Sequence, residues 1–371
     1  MIFSGAPRDG FPNAGRSVYA ESVIETNTPP TASEQVKFLR SLQRLLDETR
    51  TTSTYKFALL LALADLSVEY GDDSGAPLPL TTTQVASKFL AYYWQHVVPF
   101  ETASGKICLR QNPDRPPRVL TEIGKAREEF GASLTSALGN RRLLARIEQT
   151  VRGMPLTRLQ KIGRFTFDFL YADTGPTREL ELRPGVAFCF RRFHNLIQDL
   201  IRGAWLRFVR DLNAKELGTK VDLGELLFGS RRADLAAARS ALVEAEGRIC
   251  FFCGRDLVAE TEQLDHFIPW SRYPRDLGHN LVLSDIGCNR AKGSRLPAVR
   301  HLYKWVKRNR LLARPLEDAF VRHGVLHDLA VTLRITHWAY SETAAAEGLS
   351  WDRSNAMIPL APEWTQLLHE G

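Results

Sequence analysis

Apolar positions recur at helical spacing along most of the chain. Val36, Leu39, Leu42 and Leu46 follow Ser33 and Glu34, which predicts a helix starting there. Tyr55 to Tyr70 is more apolar and suits the middle of a bundle. Residues 71–80, GDDSGAPLPL, break the pattern, and Thr81 to Trp94 resumes it with Val85, Phe89, Leu90 and Tyr93 along one side. Pro113, Pro116 and Pro117 mark residues 101–118 as a loop, with a short strand at Lys106 to Arg110. Helical periodicity returns from Thr121 to about Val151 and from Leu156 to Tyr171. It is clearest from Val186 to Leu212, through Phe193, Ile197, Leu200, Trp205 and Val209. Arg191, Arg192, Arg202, Arg207 and Arg210 alternate with these aromatics, the pattern of a nucleic-acid groove or, more ordinarily, of snorkelling arginines. Further helices are predicted at Arg231 to Glu244, His301 to Leu312 and Leu316 to Trp338, with an irregular tail from Glu342. The expected fold is mainly α. It divides into a flexible arm (1–33), a helical domain (34–240), a small module of different character (241–300) and a helical C-terminal segment (301–371).

At 371 residues the chain is long enough for two or three domains, and 44% hydrophobic with 25% charged residues is an ordinary globular balance. The longest apolar run, Phe57 to Ala64, falls short of the ~20 residues a membrane span needs. The first residues carry no secretory pattern, so a soluble, cytoplasmic protein is expected. The net charge of +7 is local: nine basic residues and no acidic one lie between Ile286 and Arg314, and without them the rest carries 40 basic against 42 acidic residues. A second basic cluster runs from Arg141 to Arg164, opposed only by Glu148. Such patches suit a polyanion.

Five cysteines are too few and too scattered for a disulfide framework. Cys108 and Cys189 read as small buried hydrophobes. Cys250-x-x-Cys253 followed by Gly254 is a knuckle that turns two thiolates toward one metal. Asp265-His266 follows Leu264 at the end of a short strand, where a carboxylate and an imidazole on opposite faces supply a metal ligand and a general base. Asn280 enters a second strand. Cys288-Asn289-Arg290-Ala291-Lys292-Gly293 opens a helix capped by Ser284 or Asp285, with Asn289 and Lys292 on one face. Lys304, Lys307 and Arg308 share a face of the next helix and, with Arg290 and Arg295, form an expected path for DNA.

DHFIP, an Asn 14 residues after the His, and CNRAK a further 9 residues on resemble the HNH endonuclease superfamily, at spacings similar to the HNH domain of RNA-guided type II CRISPR effectors. Phe190 to His194, LLFGS at 226–230 and HLYKW at 301–305 resemble standalone bacterial HNH proteins, a group associated with phage defence and mobile elements. The resemblance implies a ββα-metal fold and hydrolysis of phosphodiester bonds in DNA, with protein partners of a defence system. It makes His266 the general base, Asp265 and Asn289 the ligands of Mg²⁺ (or Mn²⁺), Asn280 the brace of the histidine loop, and Lys292 a neighbour of the scissile phosphate. Zinc-stapled members carry a second C-x-x-C. Here Asp285 stands three before Cys288, so structural Zn²⁺ is expected on Cys250, Cys253, Cys288 and Asp285. His279 reads as a loop residue, and His323 with His327 lacks a third ligand. A non-catalytic zinc-stapled nucleic-acid-binding module and an RNase are the alternatives.

Overall fold

The computed structural model describes residues 28–48, 52–102, 105–172, 175, 177–217, 221–229, 232–353 and 356–369. Most of the expected arm, residues 1–27, lies outside them. The fold is mainly α, with a two-stranded hairpin and short helix as its distinct module. Among the described residues no helix is long and apolar enough to cross a membrane.

Helix Tyr55–Tyr70 is the axis of the N-terminal bundle, with residues 57–69 all buried. It is enclosed by helices Thr82–Tyr93, Val186–Arg192, His194–Leu212 and Leu329–Ala345, which is why its sequence is apolar all round. Local chemistry sets the boundaries. The first helix begins at Ala32, earlier than predicted, because Thr31 and Glu34 cap each other: Thr31 N donates to the Glu34 carboxylate at 2.7 Å and Glu34 N to Thr31 Oγ1 at 3.4 Å. Thr81 and Gln84 form the same box before Thr82–Tyr93.

Several predicted helices are interrupted. Thr121 to Val151 is three helices, Arg118–Phe130, Leu134–Gly139 and Arg141–Gly153, parted at left-handed Gly131 (φ 59°) and at Asn140, whose Oδ1 caps Leu143 N at 2.9 Å. Leu156 to Tyr171 is not a helix beyond Arg158: Lys161–Ile162 and Phe165–Thr166 form a hairpin instead. The helix expected from Val186 to Leu212 pauses at Phe193. The helix expected from Leu316 to Trp338 stops at His323 before left-handed Gly324 and restarts at Leu329 under an Asp328 cap. The tail is ordered: Leu349–Trp351 pairs with Met357–Pro359, and Trp364–His369 is helical. The loop expected at 71–80 ends in a strand, Leu78–Thr81, paired with Glu179–Leu182. The strand expected at Lys106 to Arg110 is Gly105–Ile107, paired with Phe100–Thr102. Cys189 is buried as expected, whereas Cys108 is exposed.

Two apolar cores result. One fills the bundle from Phe38 to Leu227. The other joins Ala238 and Leu242, the hairpin of the distinct module, the helices after residue 298, Trp351 and Trp364.

Candidate active site and cysteine cluster

Strands Glu262–His266 and Leu281–Asp285 pair antiparallel, with Asp265 opposite Val282 and His266 opposite Leu281. Helix Ile286–Lys292 follows at once. The turn leaving His266 is held by Asn280: its Oδ1 accepts from Ile268 N at 2.7 Å, its Nδ2 donates to Ile268 O at 3.0 Å, and its carbonyl accepts from Phe267 N at 2.7 Å. Phe267 stacks on Trp305, ring centroids 5.0 Å apart, and Trp305 Nε1 donates to His279 O. His279 is therefore a core residue, its pKa pushed down to about 3 by burial and by Arg308 and His327.

His266 and Asp265 face opposite ways. His266 Nε2 lies 2.7 Å from Oδ1 of Asp276, and its ring packs 5.3 Å from Trp270. Nδ1 has no partner among the described residues. Asp265 is buried against Lys292, whose Nζ lies 3.1 Å from Oδ1 and 3.0 Å from Oδ2. Oδ2 makes no hydrogen bond of its own and is held only by the charge of that ammonium. Burial pushes the Asp265 carboxyl up and the Lys292 ammonium down, each only partly offset by the other's charge.

Lys292 is fully buried, donating also to His266 O at 2.7 Å, and ties strand end to helix end. Asn289 is half-buried on the same helix, and its amide has no hydrogen-bond partner among the described residues. Asp265 Oδ2 and the Asn289 amide oxygen are hard donors, the kind Mg²⁺ takes while keeping water and phosphate oxygens in its other positions. The donor set fits that ion.

The cysteines converge. The Sγ atoms of Cys250, Cys253 and Cys288 lie within 4.8 Å of one another. Gly254 at φ 77° makes the knuckle, donating its N–H to Cys250 O. Burial raises the Cys250 thiol, but N–H groups of Cys253 and Asp285 outweigh it and bring the pKa below its ordinary value. Burial and the neighbouring sulfurs push Cys288 up to about 12. Asp285 does not join the three sulfurs. Its Oδ1 caps the helix by accepting from Gly287 N at 2.8 Å, and only its backbone N–H reaches Cys250 Sγ, at 3.2 Å.

The basic path is corrected in part. Arg290, Arg295 and Lys307 are exposed. Lys304 lies over the Phe251 ring and donates to Phe251 O. Arg308 is buried, held by both oxygens of Glu246 at 2.8 and 2.9 Å, and is a structural cation. Arg191 is likewise buried against Asp73 and Gly71 O. His323 pairs with Glu244, and His327 Nδ1 faces Val325 O.

Two features escaped the sequence reading. One is Asp276, in a loop whose pattern marks nothing. The other is its anchor: Tyr273 Oη donates to Glu69 Oε1 at 2.7 Å, and Arg275 pairs with the same carboxylate. Glu69 belongs to the axial helix of the bundle, so the bundle positions the loop that holds His266.

No curated protein matches the chain. Residues 250–298 match a family model described as HNH endonuclease, and with its hairpin, helix and DH…N…N pattern this part of the chain belongs to the HNH superfamily.

Proposed function

We propose that the protein is a metal-dependent endonuclease that hydrolyses phosphodiester bonds in DNA, with His266 as general base. One observation carries the reading: His266 Nε2 lies 2.7 Å from the Asp276 carboxylate, the arrangement in which a proton held on Nε2 is donated to Asp276 and Nδ1 is left to accept another. As water attacks phosphorus, Nδ1 takes its proton. The bond to the 3′ oxygen breaks, and the leaving oxygen is protonated from solvent. Asn280 keeps the turn after His266 in register with the second strand. Lys292 holds the Asp265 strand against the helix of Asn289. Asp265 and Asn289 would hold Mg²⁺ or Mn²⁺, which when bound supplies positive charge beside the leaving oxygen.

The three cysteines would hold zinc as a staple for a module too small to carry a large core of its own. Exposed Arg290, Arg295 and Lys307 support a nucleic-acid partner through phosphate contacts. A purely binding module has no need of the Asp276–His266 pair. The test is nicking of plasmid DNA by purified protein with and without Mg²⁺, beside His266→Ala. Metal-dependent nicking lost in the variant is expected, and nicking of equal rate by both proteins would refute the assignment.

A further inference from the structure

Between the bundle and the hairpin lies a cleft of about 180 Å³. Tyr92, Arg202 and Phe228 line it from the bundle, and Trp270, Arg275 and Asp276 from the loop beside His266. It also contains Asp65. Three of its four charged side chains are engaged. Asp65 bonds to Tyr92, Gln198 and His194, Arg275 pairs with Glu69, and Asp276 meets His266. Arg202 is the exception. Its Nε is buried without a hydrogen-bond partner, and its guanidinium rests over the Phe228 ring at 5.2 Å. Asp65 and Asp199 attract it only from a distance, and burial holds its pKa below the usual guanidinium value.

Arg202 is only partly withdrawn from water, and its terminal nitrogens have no carboxylate within ion-pair distance among the described residues, so they can meet an anion that enters the cleft. The walls indicate what that anion carries. Tyr92, Phe228 and Trp270 bring aromatic rings to the cleft, and a planar base stacks on such rings whatever its identity. Trp270 and Asp276 both touch His266, so the cleft adjoins the histidine of the candidate active site.

We propose that this cleft is a nucleotide subsite, in which Arg202 takes the phosphate and the aromatic walls take the base. A nucleotide of the strand being cut and a free mononucleotide present the same chemistry; the first source rests on the endonuclease reading, the second does not.

The test uses the full chain as wild type, Arg202→Ala and Arg202→Met, the latter keeping a side-chain stem on Phe228. Calorimetric titration with adenosine 5′-monophosphate, and with inorganic phosphate as the ring-free control, is paired with kcat and KM for a single-stranded oligonucleotide. A free-nucleotide site shows as tighter binding of the monophosphate than of phosphate, weakened tenfold or more in both variants. A strand subsite shows as a KM raised tenfold or more in both variants, with a smaller change in kcat. Either result supports the proposal. Variants that match wild type in both measurements overturn it, as does a wild type that binds phosphate and the monophosphate equally with KM unchanged by the substitutions. A wild type that cuts nothing sinks the endonuclease reading, while the titration still decides the cleft.

Discussion

Asp65 in the bundle and Asp265 in the hairpin are both buried aspartates with a buried lysine beside them, and they behave in opposite ways. Asp65 accepts from Tyr92 at 2.7 Å, Gln198 at 2.9 Å and His194 at 3.1 Å, with Lys88 at 3.7 Å. Burial raises its carboxyl, but these partners outweigh burial and hold it far below the usual range. Asp265 has Lys292 and the His266 backbone N–H, too few to offset burial, and is pushed up. The number of donors, not the depth of burial, separates a carboxylate held below its usual range from one pushed above it.

That contrast is tested first at its functional end. His266→Ala should lower the cleavage rate by ~10² to 10⁴ while the melting temperature stays near wild type, because the ring is part-exposed and bonds only Asp276. Asp276→Asn should lower the rate about 10- to 100-fold through the orientation of that ring. Unchanged rates would break the functional half of the comparison.

At the structural end, Glu69→Ala should cost about 3–5 kcal/mol in a urea titration, since it leaves buried Lys88 and part-buried Arg275 without their shared partner. The same variant should also slow cleavage, because the loop of Asp276 loses its anchor. A stability loss with normal cleavage would mean that the bundle and the loop are independent.

Acid sharpens the difference. Asp65 and Glu69 are both held low, so the stability they contribute is present above about pH 4, the unfolded carboxylate value, and is lost as pH falls. Asp65→Asn should flatten the acid limb of stability against pH. Asp265→Asn should not, because a raised group contributes at low pH and loses its contribution as pH rises through its folded pKa.

The smallest effect distinguishes exposed from buried cations. Replacing Arg290, Arg295 and Lys307 together by Ala should flatten the log–log salt dependence of DNA binding by about one unit per lost phosphate contact, with little change in melting temperature. Arg308→Ala should do the reverse, lowering stability through Glu246 and leaving the salt slope alone.

The hairpin and its helix were legible because the residues that make them are neighbours in sequence. DHFIP ends one strand, GHN opens the next, and Asp285 starts the helix. The Cys250–Cys253 knuckle followed from a short spacing, whereas Cys288, 35 residues further on, was expected there only through the family resemblance. Lys292 was placed on the right face but in the wrong environment, since helical spacing does not say which face the core closes over. Asp276 was invisible for a different reason: its loop is set by Glu69, and Tyr273 reaches that residue across 204 positions of chain. Asp285 was misread because one carboxylate had two uses, and the free N–H at the helix start lay closer in sequence than the sulfurs. Long periodic runs concealed Gly131 and Gly324, where a single left-handed residue ends a helix.

The hairpin at Leu349–Trp351 gives the molecule an order of assembly. Trp351 N–H donates to Leu296 O, Ala298 N–H donates back to Trp351 O, and the indole packs on Phe252 beside the cysteine knuckle and on His301. Synthesis runs from the N-terminus, so every helix that encloses Tyr55–Tyr70, the last being Leu329–Ala345, is made before this tryptophan. A chain interrupted near residue 345 would therefore carry every residue of the DH…N…N pattern and a finished bundle, yet lack the wall that closes the second core. Closure of the second core waits on Trp351, which is made after every residue of that pattern.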